Sequence, residues 1–258
     1  MTNAPPKPSA DWAYFLDVDG TLIDLAPTPE EVFVDRDLLW LIENAHSLCN
    51  GAVALVSGRS LVDLDSRLGM PLLPMAGLHG LEWRNTTTGR IQRRVVPANN
   101  IQEIRGKLLL LQQRYPQLIV EDKGETLALH YRKVPRLGGY LHRLIQKLVN
   151  MTDNNLQVQP GKRVIEIKPK GYDKGSAIET FMATPPFAGR TPVFIGDDLT
   201  DEHGFDVINR LGGISIKVGR GKTQALFHLP SVEAVHEWLE QIALSSEMQI
   251  RGEKIAIT

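Results

Sequence analysis

Three short runs in this sequence are apolar at every position and stop abruptly at polar residues. Ala13-Tyr14-Phe15-Leu16 ends in Asp17. Gly51-Ala52-Val53-Ala54-Leu55-Val56 ends in Ser57-Gly58-Arg59. Val193-Phe194-Ile195 ends in Gly196-Asp197-Asp198. A strand with one wet face alternates apolar and polar residues. An unbroken apolar run suits a strand buried on both faces, as in a parallel sheet covered by helices. Helical patterns separate the runs. Asp35 can cap a helix in which Leu38, Leu41, Ile42 and Ala45 recur at i, i+3, i+4 and i+7. After the third run the pattern predicts a helix over Glu202–Arg210, stopped by Gly212-Gly213, and a strand over Ile214–Val218. Val235, Trp238, Leu239 and Ile242 mark a last amphipathic helix. Alternating strands and helices predict an α/β fold with a doubly wound parallel sheet as its core.

The middle third has another rhythm. Ile101, Ile104, Leu108 and Leu111 predict a helix ending before Pro116. Strands follow near Leu118–Glu121 and Thr126–Arg132, with a turn at Gly124. Leu141, Leu144, Ile145 and Leu148 predict a second helix, followed by strands near Leu156–Gln159 and Arg163–Ile167 with Pro160-Gly161 between them. This order predicts a small α+β layer with helices on one face of an antiparallel sheet. By alternation, Leu127, Leu129, Tyr131, Ile165 and Ile167 face the helices. Thr126, Ala128, His130, Arg132, Val164, Glu166 and Lys168 face the other way. That second face is either solvated or a polar wall over a site. The domains expected are a core over 1–84, an inserted layer over 85–168, and the rest of the core over 169–258.

Composition narrows the partners. The 258 residues include 29 basic and 30 acidic ones, a net charge of −1. A polyanion binder needs a basic excess, so nucleic acid is not expected as the main partner. No run of about 18 apolar residues is present, so no membrane span is predicted. Cys49 is the single cysteine and cannot form an internal disulfide, which suits a cytoplasmic protein. Residues 1–10 are proline-rich, without the apolar stretch of a secretory signal, and are expected to form a loose tail.

The chemistry gathers at the strand ends. In open α/β sheets, ligands bind beyond the carboxyl ends of the strands. Here those ends carry Asp17 and Asp19, then Ser57 with nearby backbone amides, then Asp197 and Asp198, with Asp201 close behind. Two like charges ~4 Å apart repel by about 4 kcal/mol at an effective dielectric of about 20, so a cation is needed among them. An all-oxygen donor set suits a hard cation, Mg2+ above all, better than zinc. Asp201 also stands where a helix cap or first-turn acid is expected. Gly219-Arg220-Gly221-Lys222-Thr223 lacks a glycine five residues before Gly221, where Ile216 stands, so it is not a nucleotide-binding P-loop.

Taken in order, Asp17-Val18-Asp19-Gly20-Thr21, Ser57-Gly58-Arg59, Lys174-Gly175 and Gly196-Asp197-Asp198-Leu199-Thr200-Asp201-Glu202 resemble the four motifs of the haloacid dehalogenase superfamily. Within it, Gly77-Leu78-His79-Gly80, Glu121-Asp122-Lys123, His130-Tyr131-Arg132 and Gly161-Lys162-Arg163-Val164-Ile165-Glu166 resemble the trehalose-phosphatase family. The resemblance runs from about residue 13 to about residue 240.

The resemblance implies a Mg2+-dependent phosphatase acting on trehalose 6-phosphate through an aspartyl-phosphate. In it Asp17 is the nucleophile, Asp19 the acid and base oriented by Thr21, and Lys174 a fixed positive charge beside them. Ser57, Gly58 and Lys174 hold phosphate. Asp17, Asp19 through its backbone carbonyl, Asp197 and Asp198 hold the metal, with Asp201 the open alternative to Asp198. Arg59, His79, Glu121, Lys123, Arg132, Lys162 and Glu166 contact the sugar, with His130 behind them, and the inserted layer is a mobile cap. The resemblance further implies a small phosphosugar substrate and a functional link to a trehalose-phosphate synthase. Three alternatives stay open: another phosphosugar such as sucrose phosphate, a non-catalytic sugar-phosphate-binding regulator, and, less favoured by the position of the insertion, a mutase.

Overall fold

The computed structural model describes residues 3–25, 34–84, 88–94, 101–152 and 155–243. It divides into two units, one of Met1–Gln92, Asp173–Asp197 and Asp201–Thr258, the other of Arg93–Tyr172 and Asp198–Thr200.

The first unit is built on an eight-stranded sheet. In chain order its elements are β1 (Ala13–Leu16), α1 (Arg36–Leu48), β2 (Val53–Val56), α2 (Leu61–Leu68), β3 (Met75–Gly77), β4 (Glu82–Arg84) and β5 (Ile91–Arg93). After the second unit's elements come α5 (Lys174–Met182), β10 (Pro192–Gly196), α6 (Glu202–Arg210), β11 (Ile214–Val218), β12 (Phe227–Leu229) and a helix, α7, described over 232–243. The strand order is β12-β11-β10-β1-β2-β3-β4-β5. The six strands from β12 to β3 are parallel, and β4 runs antiparallel to β3. The three apolar runs are the central β10, β1 and β2, buried at every position as predicted. α1 begins where Asp35 accepts from the Leu38 amide at 2.8 Å, and it buries Leu38, Leu41, Ile42 and Ala45. Strands β3, β4, β5 and β12 are three residues each and left no periodicity to read in the sequence.

Strand order reverses direction at β1, which has β2 on one side and β10 on the other. Such a switch point opens a crevice at the carboxyl edge of a parallel sheet. Leu16 pairs with both Leu55 and Ile195. The residues that follow, Asp17, Ser57 and Asp197, are therefore delivered side by side.

The second unit contains α3 (Ile101–Arg114), β6 (Ile119–Asp122), β7 (Leu127–His130), α4 (Gly138–Thr152), β8 (Leu156–Gly161) and β9 (Val164–Pro169). Its antiparallel sheet has the order β6-β7-β9-β8. Leu127, Leu129, Ile165 and Ile167 form a separate core with Ile104 and Leu108 of α3 and Leu141, Ile145 and Val149 of α4. The opposite face is mixed. Glu166 and His130 are half-buried, whereas Thr126, Ala128 and Lys168 are buried outright. One turn differs from expectation. Pro160 and Gly161 pair with Ile165 and Val164, and the chain reverses at Lys162-Arg163, with Arg163 at φ +65°. β8 is an edge strand, where a proline costs no ladder hydrogen bond.

The segment expected to be a loose tail is tied down along its described length. Trp238 Nε1 donates to Pro6 O at 2.9 Å, His228 N to Asn3 O at 3.0 Å, and Tyr14 Oη to Ser9 O at 2.7 Å. Proline-rich chain has little conformational freedom to lose on docking, which lowers the cost of this order. Cys49 is buried in the core, and burial pushes its thiol up to about 12, so it is chemically inert there.

Deleting residues 1–9 removes these acceptors. At about 0.5–1.5 kcal/mol net per hydrogen bond, the deletion is expected to lower unfolding stability by about 2 kcal/mol, read as a lower urea midpoint. An unchanged midpoint is the result a loose tail would give.

Candidate active site

Asp17 leaves the end of β1 buried, and its Oδ1 accepts from Lys174 Nζ at 2.6 Å. Lys174 opens α5, which Asp173 caps through a reciprocal pair of bonds with Ser176. The same Nζ donates to Asp201 Oδ1, also at 2.6 Å. Lys174 is 3% exposed and Asp201 0%, so this bridge lies out of water. Asp201 Oδ2 accepts from the Asp197 backbone amide at 2.8 Å. Asp201 thus fixes both the lysine and the chain that carries Asp197. Burial lowers the pKa of Lys174, but Asp17 and Asp201 outweigh it and hold the amine well above its usual range, protonated. Burial pushes the Asp17 carboxyl upward, the charges of Asp201 and Asp197 add to that, and Lys174 opposes them.

Carboxylate oxygens of Asp17, Asp197 and Asp201 lie within 4.8 Å of one another. Two glycines make this packing possible. Gly20, at φ +84°, lies against Asp197, where an added Cβ would be 2.3 Å from Oδ2. Gly196 lies against Asp201, where an added Cβ would be 2.4 Å from Cγ. The trio fits a hard divalent cation. It is buried, it offers only oxygen, and one lysine leaves three carboxylates short of positive charge. Asp201 has both oxygens held by short bonds from Lys174 and the Asp197 amide, whereas Asp17 Oδ2 accepts, among the described residues, only the long 3.3 Å bond from Thr21, so the residues better suited to hold an ion are Asp17 and Asp197. Thr21 Oγ1 donates to Asp17 Oδ2 at 3.3 Å. Lys217, buried in β11, donates through Nζ to the Asp197 carbonyl.

Asp19 is held elsewhere. Arg59 grips it with two nitrogens, Nε to Oδ2 and Nη2 to Oδ1, both at 2.6 Å. Arg59 Nη1 donates to Asp63 Oδ2 at 2.7 Å, and Arg67 Nε donates to both Asp63 oxygens at 3.0 Å. Burial tends to raise the Asp63 pKa, but bonds from Arg67 and Arg59 hold its carboxyl below the usual range. The buried Ser57 Oγ accepts from the Arg59 amide at 3.1 Å. His79 is buried at φ +55° beside Leu78 at φ +50°, and its amide donates to Ser57 O at 3.0 Å. Left-handed backbone at two successive side-chain-bearing residues costs on the order of 1–3 kcal/mol each.

Gly58 lies between Ser57 and Arg59 in the first unit, and the remaining predicted residues belong to the second unit. Glu121 Oε2 lies 2.8 Å from His130 Nε2, and Lys123 Nζ lies 3.5 Å from Glu166 and 3.8 Å from Glu121. Burial raises the Glu121 pKa, but the His130 bond and the Lys123 charge outweigh it and hold the carboxyl below its usual range. Arg132 and Lys162 are exposed. The Lys162 amide donates to Asp198 Oδ2 at 3.3 Å, and Asp198 groups with this unit. Sequence reasoning missed Asp63, Glu82 and Lys217. Lys217 had a signal, a charge inside the buried run Ile214–Val218. Asp63 stands at helical i+4 spacing from Arg59.

A family model described as trehalose-phosphatase matches residues 15–233. The chain is 42% identical over 244 residues to a trehalose-6-phosphate phosphatase of Escherichia coli (strain K12), a match covering 95% of this chain and 91% of that protein. Among solved structures, the C-terminal domain of a C. albicans trehalose-6-phosphate phosphatase aligns with TM-score 0.85 at 22% identity, over 94% of this chain and 98% of that one. A haloacid dehalogenase-like hydrolase from Bacteroides thetaiotaomicron aligns with TM-score 0.58 at 16% identity, over 90% of this chain and 99% of that one. The fold is that of haloacid dehalogenase-like hydrolases, as the motif order implied.

Replacing Lys174 with Met leaves Asp17 and Asp201 buried without their cation. The expected loss of stability in chelator is about 3–5 kcal/mol, measured by urea unfolding. A lysine on the surface would change it by about 0.5 kcal/mol or less.

Proposed function

The chain belongs to the trehalose-phosphatase family, a family of phosphoric monoester hydrolases, and from that premise we propose that it hydrolyses trehalose 6-phosphate to trehalose and phosphate. The observation that carries the reading is the buried Asp17–Lys174–Asp201 bridge beside Asp197, at the switch point of the sheet.

In this reading the Asp17 carboxylate attacks phosphorus. The bond from phosphorus to the sugar oxygen breaks, and that oxygen takes its proton from Asp19. Water then attacks the phosphorus of the aspartyl-phosphate and gives a proton to Asp19. Phosphate leaves and Asp17 is restored. Lys174 keeps a positive charge beside the nucleophile while negative charge builds on the phosphoryl oxygens. A divalent cation of the Mg2+ class, held by Asp17 and Asp197, supplies charge neutralisation when bound. The Arg59 pair sets a condition on the first step. Both Asp19 oxygens accept from the guanidinium, so Asp19 has to leave it before it can deliver a proton.

Ser57 and its neighbouring amides receive phosphate oxygens in this scheme. The second unit is the cap, and its half-buried Glu121, Lys123 and Glu166, with Arg132 and Lys162, supply donors and acceptors for sugar hydroxyls. Among the described residues no helix is long and apolar enough to cross a membrane. The lone buried cysteine fits a reducing cytoplasm.

Release of inorganic phosphate from trehalose 6-phosphate, sucrose 6-phosphate and glucose 6-phosphate tests the reading. Preference for the first is expected, and equal rates on all three overturn the substrate. Asp17→Asn is expected to abolish turnover. Asp19→Asn is expected to lower kcat by about 10²–10⁴-fold. Intact turnover in the Asp17 variant excludes the covalent route through Asp17 and leaves another catalytic mechanism, whereas no turnover in the wild type leaves a regulator.

Chelation is expected to stop turnover and Mg2+ to restore it. Independently of activity, Mg2+ at 100 times its dissociation constant is expected to stabilise the fold by about 2.7 kcal/mol. Asp197→Asn is expected to abolish that gain in a thermal melt, and a retained gain places the ion elsewhere.

A further inference from the structure

Glu82 is 2% exposed, stands first in β4, and has no part in the scheme above. Its Oε1 accepts from the backbone amide of Leu61 at 2.6 Å. Leu61 is the first residue of α2, and the loop just before it is Ser57-Gly58-Arg59-Ser60. The third amide of the helix, that of Asp63, is already taken by the Ser60 side chain at 3.2 Å. Two of the amides with which a helix start receives anions are therefore filled by the protein's own oxygens.

The rest of the loop is stitched to the same neighbour. Ser57 N donates to Ala76 O at 2.9 Å, Leu78 N to Arg59 O at 2.9 Å, and His79 N to Ser57 O at 3.0 Å. The donors Leu78 and His79 form the left-handed turn that joins β3 to β4, and this turn packs on α5, which carries Lys174. Strain at a non-glycine turn persists where the surroundings over-determine it. Here the surroundings are the loop bearing Ser57 on one side and the helix bearing Lys174 on the other. Glu82 closes the arrangement from the far end of the turn.

We propose that Glu82 is a positioning residue for the phosphoryl-transfer site. By holding the Leu61 amide it fixes the Ser57–Ser60 loop, and it reserves the start of α2 so that the phosphate is met by the loop. The inference rests on the proposed phosphatase reading. Glu82 touches no reacting group in this account and acts through the loop. Removing its reach misplaces the phosphate relative to Asp17 and Lys174, so the loss falls on kcat more than on KM.

The test compares Glu82→Gln with Glu82→Asp, each assayed for kcat and KM beside the wild type, with melting temperature recorded. Gln keeps an acceptor oxygen at the same reach and loses the carboxylate. Asp keeps the carboxylate and draws it back by one methylene. The expected result is Gln within about threefold of wild type in both constants. For Asp, kcat is expected to fall on the order of tenfold with KM within about threefold. Asp at wild-type kcat overturns the inference, as does Gln impaired as much as Asp, or a loss in KM alone. Failure of the phosphatase reading is seen separately, as a wild type that releases phosphate from no phosphomonoester.

Discussion

One ammonium group organises the site. Lys174 Nζ sits at 2.6 Å from both Asp17 and Asp201, with all three side chains out of water. Stripping such groups of hydration costs several kcal/mol per ion, and only close, well-directed partners offset it. The bridge therefore tolerates little displacement. Asp201 then passes the constraint on, because its other oxygen holds the Asp197 amide. Three carboxylates against one lysine leave excess negative charge in a confined volume, the condition that favours a hard divalent cation. Lys217 adds its charge at the Asp197 carbonyl. Gly20 and Gly196 leave the space in which the acids can approach.

Much of this was legible in the sequence, because the controlling physics was one-dimensional. Strands buried on both faces must be continuously apolar, so β1, β2 and β10 announced themselves, and the acids at their ends followed. Helices with a single buried stripe, such as α1, showed their period and their cap. What stayed hidden depended on pairing in space. Asp201 read as a helix cap by position, yet it makes no side-chain cap and serves as the anchor of the lysine. Glu82 carries no local signal, since its partner Leu61 is 21 positions away. The tail looked loose because composition cannot show that Trp238, His228 and Tyr14 are waiting for it. The turn after β8 was misplaced because Pro160-Gly161 is a turn pair in isolation, whereas an edge strand accepts it.

The position of Asp19 shows how one residue can be held for two purposes. As the proposed proton donor it needs a free oxygen, but Arg59 occupies both. Asp63 competes for the same guanidinium and is itself held by Arg67. Arg59 thus has a second carboxylate to keep when Asp19 departs, which lowers the cost of the exchange relative to leaving a buried guanidinium alone.

The sheet order also imposes a sequence of events on folding. Asp17 and Lys174 are separated by 157 positions, and closing a loop of that length costs about 4–5 kcal/mol in chain entropy. During synthesis β1, β2 and β3 emerge long before α5, so the early half can pair its strands while Asp17 has no counter-charge. An amino-terminal fragment is thus an acidic edge without its cation. Only when the last third of the polypeptide arrives does that edge become a place where phosphorus chemistry is conceivable, so competence arrives with the finished chain and not by degrees.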